Sequence, residues 1–306
     1  MPRAVQFDHY GDRDVLYIAD IDIPTPAEDE VLVRVRAAGI NPGESAIRTG
    51  AVADRFPATF PSGEGSDLSG VITAVGPTVT AFSVGDDVLG WSHRRSSHAD
   101  YVTVPTGQLI PKPPHLSWAV AGSLYVVGCT AYAAIRAVSA TAGDVVAVSA
   151  AAGGVGSVVT QLLRLKGVTV LGIASAGSGA WLIEHGAAPI TYGDGLADRL
   201  RAAAPNGIDA FIDLYGPAYV QLAIDLGIPP GRVNTVIARE KARQLGAKTD
   251  GSMAATNTHV LAEIAGLVAS GQIDIPIAAT YALEHVRDAY AELEHHHTCG
   301  KIVLIP

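Results

Sequence analysis

The sequence has few cysteines and few charged side chains. Only two of its 306 residues are cysteine, Cys129 and Cys299, which excludes a disulfide framework or a four-thiolate zinc site and is typical of a reducing compartment. Charged residues make up 17% of the chain and hydrophobic residues 48%, a balance that favours a well-buried globule and excludes a disordered chain. The length is sufficient for two domains with separate cores.

The sequence also lacks clustered positive charge, and we expect no signal peptide. The formal net charge is −9, and the lysines and arginines form no run, so we expect no nucleic-acid partner. The N-terminus lacks the apolar core of a signal peptide. Residues 118–135 and 145–163 are uncharged and long enough to cross a bilayer, but their small residues favour buried elements of an α/β core. We therefore expect a cytoplasmic protein with no membrane partner.

Residues 144–167, DVVAVSAAAGGVGSVVTQLLRLKG, are the most informative segment. A β-branched run leads into Gly153, Gly154 and Gly156, and a helix-length apolar stretch follows before a second β-branched run at 168–173. Strand, glycine turn, helix and parallel strand form a unit that binds dinucleotides, because the turn admits the pyrophosphate and the helix N-terminus offers N–H groups. Gly156 permits close packing of helix on strand. A glycine turn without a dinucleotide is the alternative.

The end of the second strand predicts which dinucleotide is bound. The first glycine of the dinucleotide motif is replaced by Ala151. The strand ends at Ala174 and Ser175, where NAD-binding proteins usually place an acid for the ribose 2′-hydroxyl. No Asp or Glu occurs between Asp144 and Glu184. Because a carboxylate would repel a 2′-phosphate, its absence favours NADP(H).

Turn residues divide the chain into two regions with different secondary-structure patterns. Up to about residue 114, short strands alternate with glycine and proline turns, which indicates a small barrel or sandwich. Residues 117–138 then have the length of a helix, and strands alternate with helices as in a doubly wound parallel sheet. The predicted later elements are helices at 258–270 and 284–294 and a last strand at 301–305, which we expect to rejoin the first domain.

Taken together, seven motifs in order resemble the medium-chain dehydrogenase/reductase superfamily, in particular its zinc-free, zeta-crystallin-like quinone oxidoreductase branch. The motifs are AAGINPGE (37–44), GSDLSGVITAVG (65–76), VGDDVLG (84–90), GCTAYAA (128–134), AAAGGVG (150–156), HGAAPITY (185–192) and GKIVLI (300–305). The resemblance implies an α/β fold in which a Rossmann domain, residues 117–256, interrupts a GroES-like β-barrel domain, residues 1–116 and 257–306. It also implies hydride transfer from a nicotinamide, and a homodimer.

The resemblance also bears on zinc. In the zinc-dependent alcohol dehydrogenases of the superfamily, a cysteine stands at the position of Asn41 and a histidine at the position of Ser66. Zinc needs three or four nitrogen, sulfur or carboxylate ligands. We therefore expect no metal.

Cofactor contacts follow from the same resemblance. Gly153, Gly154, Val155 and Gly156 are expected to hold the pyrophosphate, and Thr130 and Asn41 to face the nicotinamide half. For the 2′-phosphate, Ser175 and Tyr192 match family positions, and Ser178 stands where a basic residue is common. The further expected contacts are Ile237 and, as the candidate cation, Arg239.

Two residues are candidates for contact with substrate, and each has a structural alternative. Asn41 faces the cofactor or substrate, or it braces the turn made by the following Pro and Gly. Tyr125 is a buried phenol with one hydrogen bond, or it donates to the substrate oxygen. Arg48 is assigned with similar weight to a surface salt bridge or to the cleft.

For the cysteines and histidines we expect structural roles rather than reactive or metal-binding ones. Cys129 is expected to be a buried filler. The histidines at 295–297, beside Cys299, are expected to form a solvated helix end rather than a metal clip. His93 and His98 flank two arginines in a loop that we expect to be exposed.

The sequence therefore predicts an NADPH-dependent, zinc-independent reductase of quinones or α,β-unsaturated carbonyls. Hydrogen-bond donors such as Asn41 or Tyr125 would stabilise the developing oxyanion. Two alternatives stay open: an enoyl-thioester reductase, and a non-catalytic NADPH-binding redox sensor.

Overall fold

Two structural units make up the chain in the computed structural model, which describes residues 1–295 and 298–306. The first unit comprises Met1–Val126, Asn257–Gln272 and Pro276–Pro306. The second unit comprises Val127–Thr256 and Ile273–Ile275. Of the three histidines at 295–297, only His295 is described, and the prediction for the other two lies outside the described residues.

The elements follow one another along the chain with short connections. The strands are β1 (Arg3–Phe7), β2 (Tyr17–Asp20), β3 (Glu30–Gly39), β4 (Ser62–Gly63), β5 (Asp67–Val75), β6 (Asp87–Trp91), β7 (Tyr101–Pro105), β8 (Leu109–Pro111), β9 (Val145–Ser149), β10 (Thr169–Ala174), β11 (Ala187–Thr191), β12 (Ala210–Asp213), β13 (Val233–Thr235), β14 (Ile277–Ala282) and β15 (Lys301–Ile305). The α-helices are α1 (Pro42–Arg48), α2 (Trp118–Ala121), α3 (Leu124–Ala137), α4 (Gly154–Leu165), α5 (Gly179–Glu184), α6 (Leu196–Ala203), α7 (Pro217–Asp225), α8 (Arg239–Leu245), α9 (Thr258–Ala269) and α10 (Val286–Glu294).

The first unit is built on two sheets. The larger sheet has the order β14-β15-β3-β5-β6-β8, with β7 paired to β3, and the smaller has the order β2-β1-β4. Along β3 the buried Val33 and Val35 alternate with the exposed Arg34 and Arg36. The last strand, β15, pairs antiparallel with β3 and parallel with β14, a strand that the sequence pattern did not predict.

The prediction of one continuous helix over residues 117–138 is wrong. α2 ends at Ala121, with Gly122 as its C-cap, and α3 begins at Leu124. A Cβ at Gly122 would overlap the carbonyl oxygen of Ala37 in β3, and the N–H of Gly39 donates to the carbonyl of Gly122 at 2.7 Å. The chain therefore breaks where its backbone approaches the sheet.

The second unit contains the predicted doubly wound sheet. Its five strands are all parallel, in the order β11-β10-β9-β12-β13. The strand order reverses between β9 and β12, which is where such sheets bind ligands at the carboxyl ends of their strands. One face of the sheet buries an apolar cluster that includes Leu171, Phe211 and Val233.

No helix among the described residues is both long and apolar enough to cross a membrane.

Candidate functional site

The turn between β9 and α4 has the geometry of a phosphate cradle. Gly153 is the N-terminal cap of α4, and its N–H donates to the carbonyl of Ala150 at 2.9 Å. Because a helix leaves its first N–H groups without intrahelical acceptors, those of Gly154, Val155 and Gly156 can bind an anion. A Cβ at Gly156 would overlap the Ala150 carbonyl oxygen, so only glycine lets the helix pack here. The turn therefore fits the pyrophosphate of a dinucleotide.

Three predicted 2′-phosphate residues meet at the end of β10. The hydroxyls of Ser175 and Ser178 are 3.1 Å apart. The N–H of Tyr192 donates to the carbonyl of Ala174 at 3.3 Å, which places the loop after β11 beside them. The Tyr192 side chain is 44% exposed. The structure thus brings the two serine hydroxyls together and places the Tyr192 backbone beside the end of β10, although their role as cofactor contacts stays a prediction.

A buried carboxylate, missed in the sequence analysis, holds the strand ends of the second unit in place. Asp213 Oδ1 accepts hydrogen bonds from the Ser149 hydroxyl at 2.8 Å and from the N–H groups of Tyr215 and Gly216 at 3.0 and 3.1 Å. Its Oδ2 accepts the Thr235 hydroxyl at 2.6 Å. These bonds satisfy the buried charge and join the carboxyl ends of β9, β12 and β13. The signal in the sequence was an acid at the end of an apolar strand.

The three remaining cofactor candidates of the second unit lie after β13 and on α3. Ile237, half exposed, follows β13, and its N–H donates to the Thr235 hydroxyl at 3.2 Å. Arg239 is the exposed first residue of α8. Thr130 is buried on α3. Their contacts with a cofactor stay predictions.

In the first unit, Asn41 belongs to a buried polar network with Glu44, Asp67 and Lys301. Asn41 Nδ2 donates to Glu44 Oε1 and Asp67 Oδ2, both at 3.1 Å. Lys301 Nζ donates to Asn41 Oδ1 at 2.6 Å and to the Ile40 carbonyl at 2.8 Å. Burial raises the pKa of Asp67, and the Lys301 charge opposes that rise. The Asn41 amide therefore braces the start of α1, which was the structural alternative, and its predicted cofactor contact stays untested.

Glu44 connects this network to α10. It accepts the N–H of Asn41 at 2.8 Å, the N–H of Ser66 at 2.9 Å and the hydroxyl of Tyr290 at 2.9 Å. Burial, followed by the charges of Glu44 and Glu64, raises the pKa of Tyr290 well above its ordinary value. The phenol therefore stays protonated and acts as a fixed donor.

Of the two alternatives for Arg48, the surface salt bridge is wrong, because the side chain is 0% exposed. Its Nη1 donates to Glu64 Oε1 at 2.5 Å, and its guanidinium lies 4.4 Å from the centre of the Tyr290 ring. Burial raises the pKa of Glu64 to about 7, although the Arg48 charge opposes that rise. Arg48 and Glu64 form an internal ion pair.

The loop after β6 is only partly exposed, so the expectation for His98 is wrong. His93 is exposed, whereas His98 is 1% exposed and its Nε2 lies 3.4 Å from the Gly39 carbonyl oxygen. Burial lowers the pKa of His98. Its burial follows from the pairing of Val5 N–H with the His98 carbonyl at 2.8 Å, which ties this loop to β1.

Tyr125 is buried at the start of α3, where it stacks on Trp91. The two ring centres are 4.6 Å apart and the planes differ by 12°. The Trp91 indole N–H donates to His93 Nε2 at 3.1 Å. Stacking therefore fixes the orientation of the Tyr125 phenol. Cys129, a helical turn further along, is fully buried, in keeping with the filler role expected for it.

Comparison with known proteins now identifies the family. Residues 27–114 match the alcohol dehydrogenase GroES-like domain, and residues 185–304 match the zinc-binding dehydrogenase family. The mouse (Mus musculus) quinone oxidoreductase is 29% identical over 99% of this chain and 97% of its own length. The structure of the quinone oxidoreductase from Coxiella burnetii is 30% identical, with a TM-score of 0.89 over 100% of this chain and 99% of that one.

The chain belongs to the medium-chain dehydrogenase/reductase superfamily. It is an oxidoreductase of this type, with a GroES-like N-terminal domain and a Rossmann-like parallel sheet, as the sequence predicted. A mycobacterial member, solved in complex with NADPH, is 26% identical, with a TM-score of 0.89 over 100% of both chains. Quinone oxidoreductases are therefore among the homologues of this medium-chain enzyme.

Proposed function

We propose that this protein is an NADPH-dependent, zinc-independent reductase of quinones or α,β-unsaturated carbonyls. The observation that supports it most is the carboxyl edge of the parallel sheet. There a glycine cradle lies beside β10, whose end carries the Ser175 and Ser178 hydroxyls instead of a carboxylate. The relatives support the same activity, since two are named quinone oxidoreductases and one was solved with NADPH.

The chain's own groups bind and orient the cofactor. The N–H groups of Gly154, Val155 and Gly156 hold the pyrophosphate, and the hydroxyls after β10 hold the 2′-phosphate. When bound, NADPH supplies a hydride to an electron-poor carbon of the substrate. The enzyme's remaining task is to stabilise negative charge on the substrate oxygen.

Tyr125 is the better of the two candidate donors to that oxygen. Both N–H groups of Asn41 already bond to carboxylates of Glu44 and Asp67. The stacked Trp91 holds the Tyr125 ring in one orientation, and preorganised donors stabilise developing charge best. We expect Tyr125→Phe to lower kcat for an enone at least tenfold while the KM for NADPH stays unchanged.

Zinc independence is supported by the residue types at the family's ligand positions. Lys301 places an ammonium 2.6 Å from Asn41 Oδ1, at the position where zinc-dependent relatives carry a cysteine ligand. The Asn41 amide is already bonded to Lys301, Glu44 and Asp67, and Ser66 stands where those relatives carry a histidine. Residues at this position therefore suit a metal-free enzyme.

The test is NADPH oxidation with a panel of quinones, enones and enoyl thioesters. We expect turnover with a quinone or an enone, a lower KM for NADPH than for NADH, and no change after treatment with a chelator. Turnover confined to thioesters would favour the enoyl-thioester alternative. Tight NADPH binding without oxidation by any acceptor would favour the sensor.

A further inference from the structure

The Trp91 indole lies buried at the end of β6, where the residue is 3% exposed. An indole N–H can only donate, and a buried donor without an acceptor is unfavourable. Here Nε1 donates to His93 Nε2 at 3.1 Å, and the two rings meet edge to face with their centres 5.8 Å apart. Because the indole is the donor, His93 accepts with the lone pair of Nε2 and carries its proton on Nδ1. His93 therefore satisfies the buried indole.

The backbone of His93 is fixed, although the residue is exposed. Its N–H donates to Gln108 Oε1 at 3.1 Å. Gln108 belongs to the helical turn before β8, and a Cβ at Gly90 of β6 would overlap the Gln108 carbonyl oxygen. This close approach holds the turn against the strand that carries Trp91. The histidine acceptor therefore has a defined position relative to the indole.

Tyr125 lies against the same indole. Its ring stacks on Trp91 with 4.6 Å between the ring centres and 12° between the planes. The main chain beside it is also held, because the N–H of Val126 donates to Asp67 Oδ1 at 2.8 Å, and Asp67 faces Trp91 in the register of β5 and β6. The first turn of α3 is thus tied to the sheet. Because the two rings lie almost parallel, a change in the indole plane would also change the plane of the phenol.

We propose that His93 is a positioning residue for Tyr125 and acts on it through the Trp91 indole. This inference rests on the proposed function, in which the Tyr125 hydroxyl donates to the substrate oxygen. While His93 accepts the indole N–H, the indole keeps one orientation and the phenol is a preorganised donor. Without this acceptor the indole turns its N–H towards water, and the stacked phenol loses its alignment.

The test is a double-mutant cycle on the full chain, measured as NADPH oxidation with an enone. His93→Phe keeps an aromatic ring but removes the acceptor, and we expect it to lower kcat about fivefold while the KM for NADPH stays unchanged. In a Tyr125→Phe background the same exchange should change kcat by less than about twofold, because the hydroxyl that it positions is absent. His93→Gln should retain most of the activity, since a glutamine carbonyl can accept the indole N–H. The control is His115→Phe, which replaces another exposed histidine of the first unit and should leave kcat unchanged.

A second measurement does not depend on turnover. The NMR signal of the Trp91 indole N–H, assigned with Trp91→Phe, should exchange with solvent faster in His93→Phe and stay protected in His93→Gln. Equal losses of kcat from His93→Phe with and without the Tyr125 hydroxyl would overturn the inference, as would an unaffected kcat or an unchanged indole signal. Each of these results would leave the proposed function intact. A wild type that oxidises NADPH with no quinone, enone or thioester would contradict the proposed function itself.

Discussion

The buried Glu64 makes the stability of the protein depend on pH. Its carboxyl has an ordinary pKa of 4.5 in the unfolded chain, and burial raises that pKa to about 7 in the folded protein. The folded state therefore binds more protons than the unfolded state between these values, so stability falls as pH rises from 4.5 to about 7. The difference corresponds to about 3 kcal/mol.

The perturbation is Glu64→Gln, which removes the titrating group. We expect urea unfolding of the wild type to lose about 3 kcal/mol more than the variant between pH 4.5 and pH 7.5. The control is Glu284→Gln, which removes a half-exposed glutamate that also pairs with an arginine, Arg3. The control should follow the wild type. Identical pH slopes for wild type and Glu64→Gln would refute the assignment of this burial cost to Glu64.

Three further substitutions test the cradle and the buried networks. Gly156→Ala should weaken NADPH binding more than tenfold in a fluorescence titration, because the added Cβ overlaps the Ala150 carbonyl, whereas Gly266→Ala, with open space around it, should leave binding unchanged. Lys301→Met should lower the free energy of unfolding in urea by about 3 kcal/mol, because it leaves the buried Asp67 carboxylate without its ammonium partner. Adding Asp67→Asn to this variant should recover part of the loss. An unchanged urea midpoint for Lys301→Met would contradict the prediction. Asp213→Asn should cost about 2 kcal/mol in the same assay and weaken NADPH binding, because an amide cannot accept four hydrogen bonds.

Local patterns were sufficient to predict most of the fold. The β-branched run of β9, the glycines that follow it and the apolar length of α4 all favour the same strand-turn-helix unit. Each of these signals lies within a few residues of the element that it specifies. The break at Gly122 was missed because it depends on β3, far away in the sequence.

The polar networks could not be predicted for the same reason. Glu44 bonds to Tyr290 and Asn41 to Lys301, so each pair joins residues near opposite ends of the chain. Charged residues are usually exposed, and the burial of Arg48 depends on its ion pair with Glu64 and its contact with the distant Tyr290 ring. Sequence patterns identify the residue types of the candidate site, whereas the partners that fix their orientation depend on tertiary packing.

Under the proposed function, NADPH bound at the carboxyl edge of the parallel sheet gives its hydride directly to a carbon of the substrate. The most direct measurement uses NADPH dideuterated at C4 with an enone and analyses the product by mass spectrometry. We predict one deuterium on the β-carbon of each product molecule. Product without deuterium, or product formed at the same rate without NADPH, would contradict the claim.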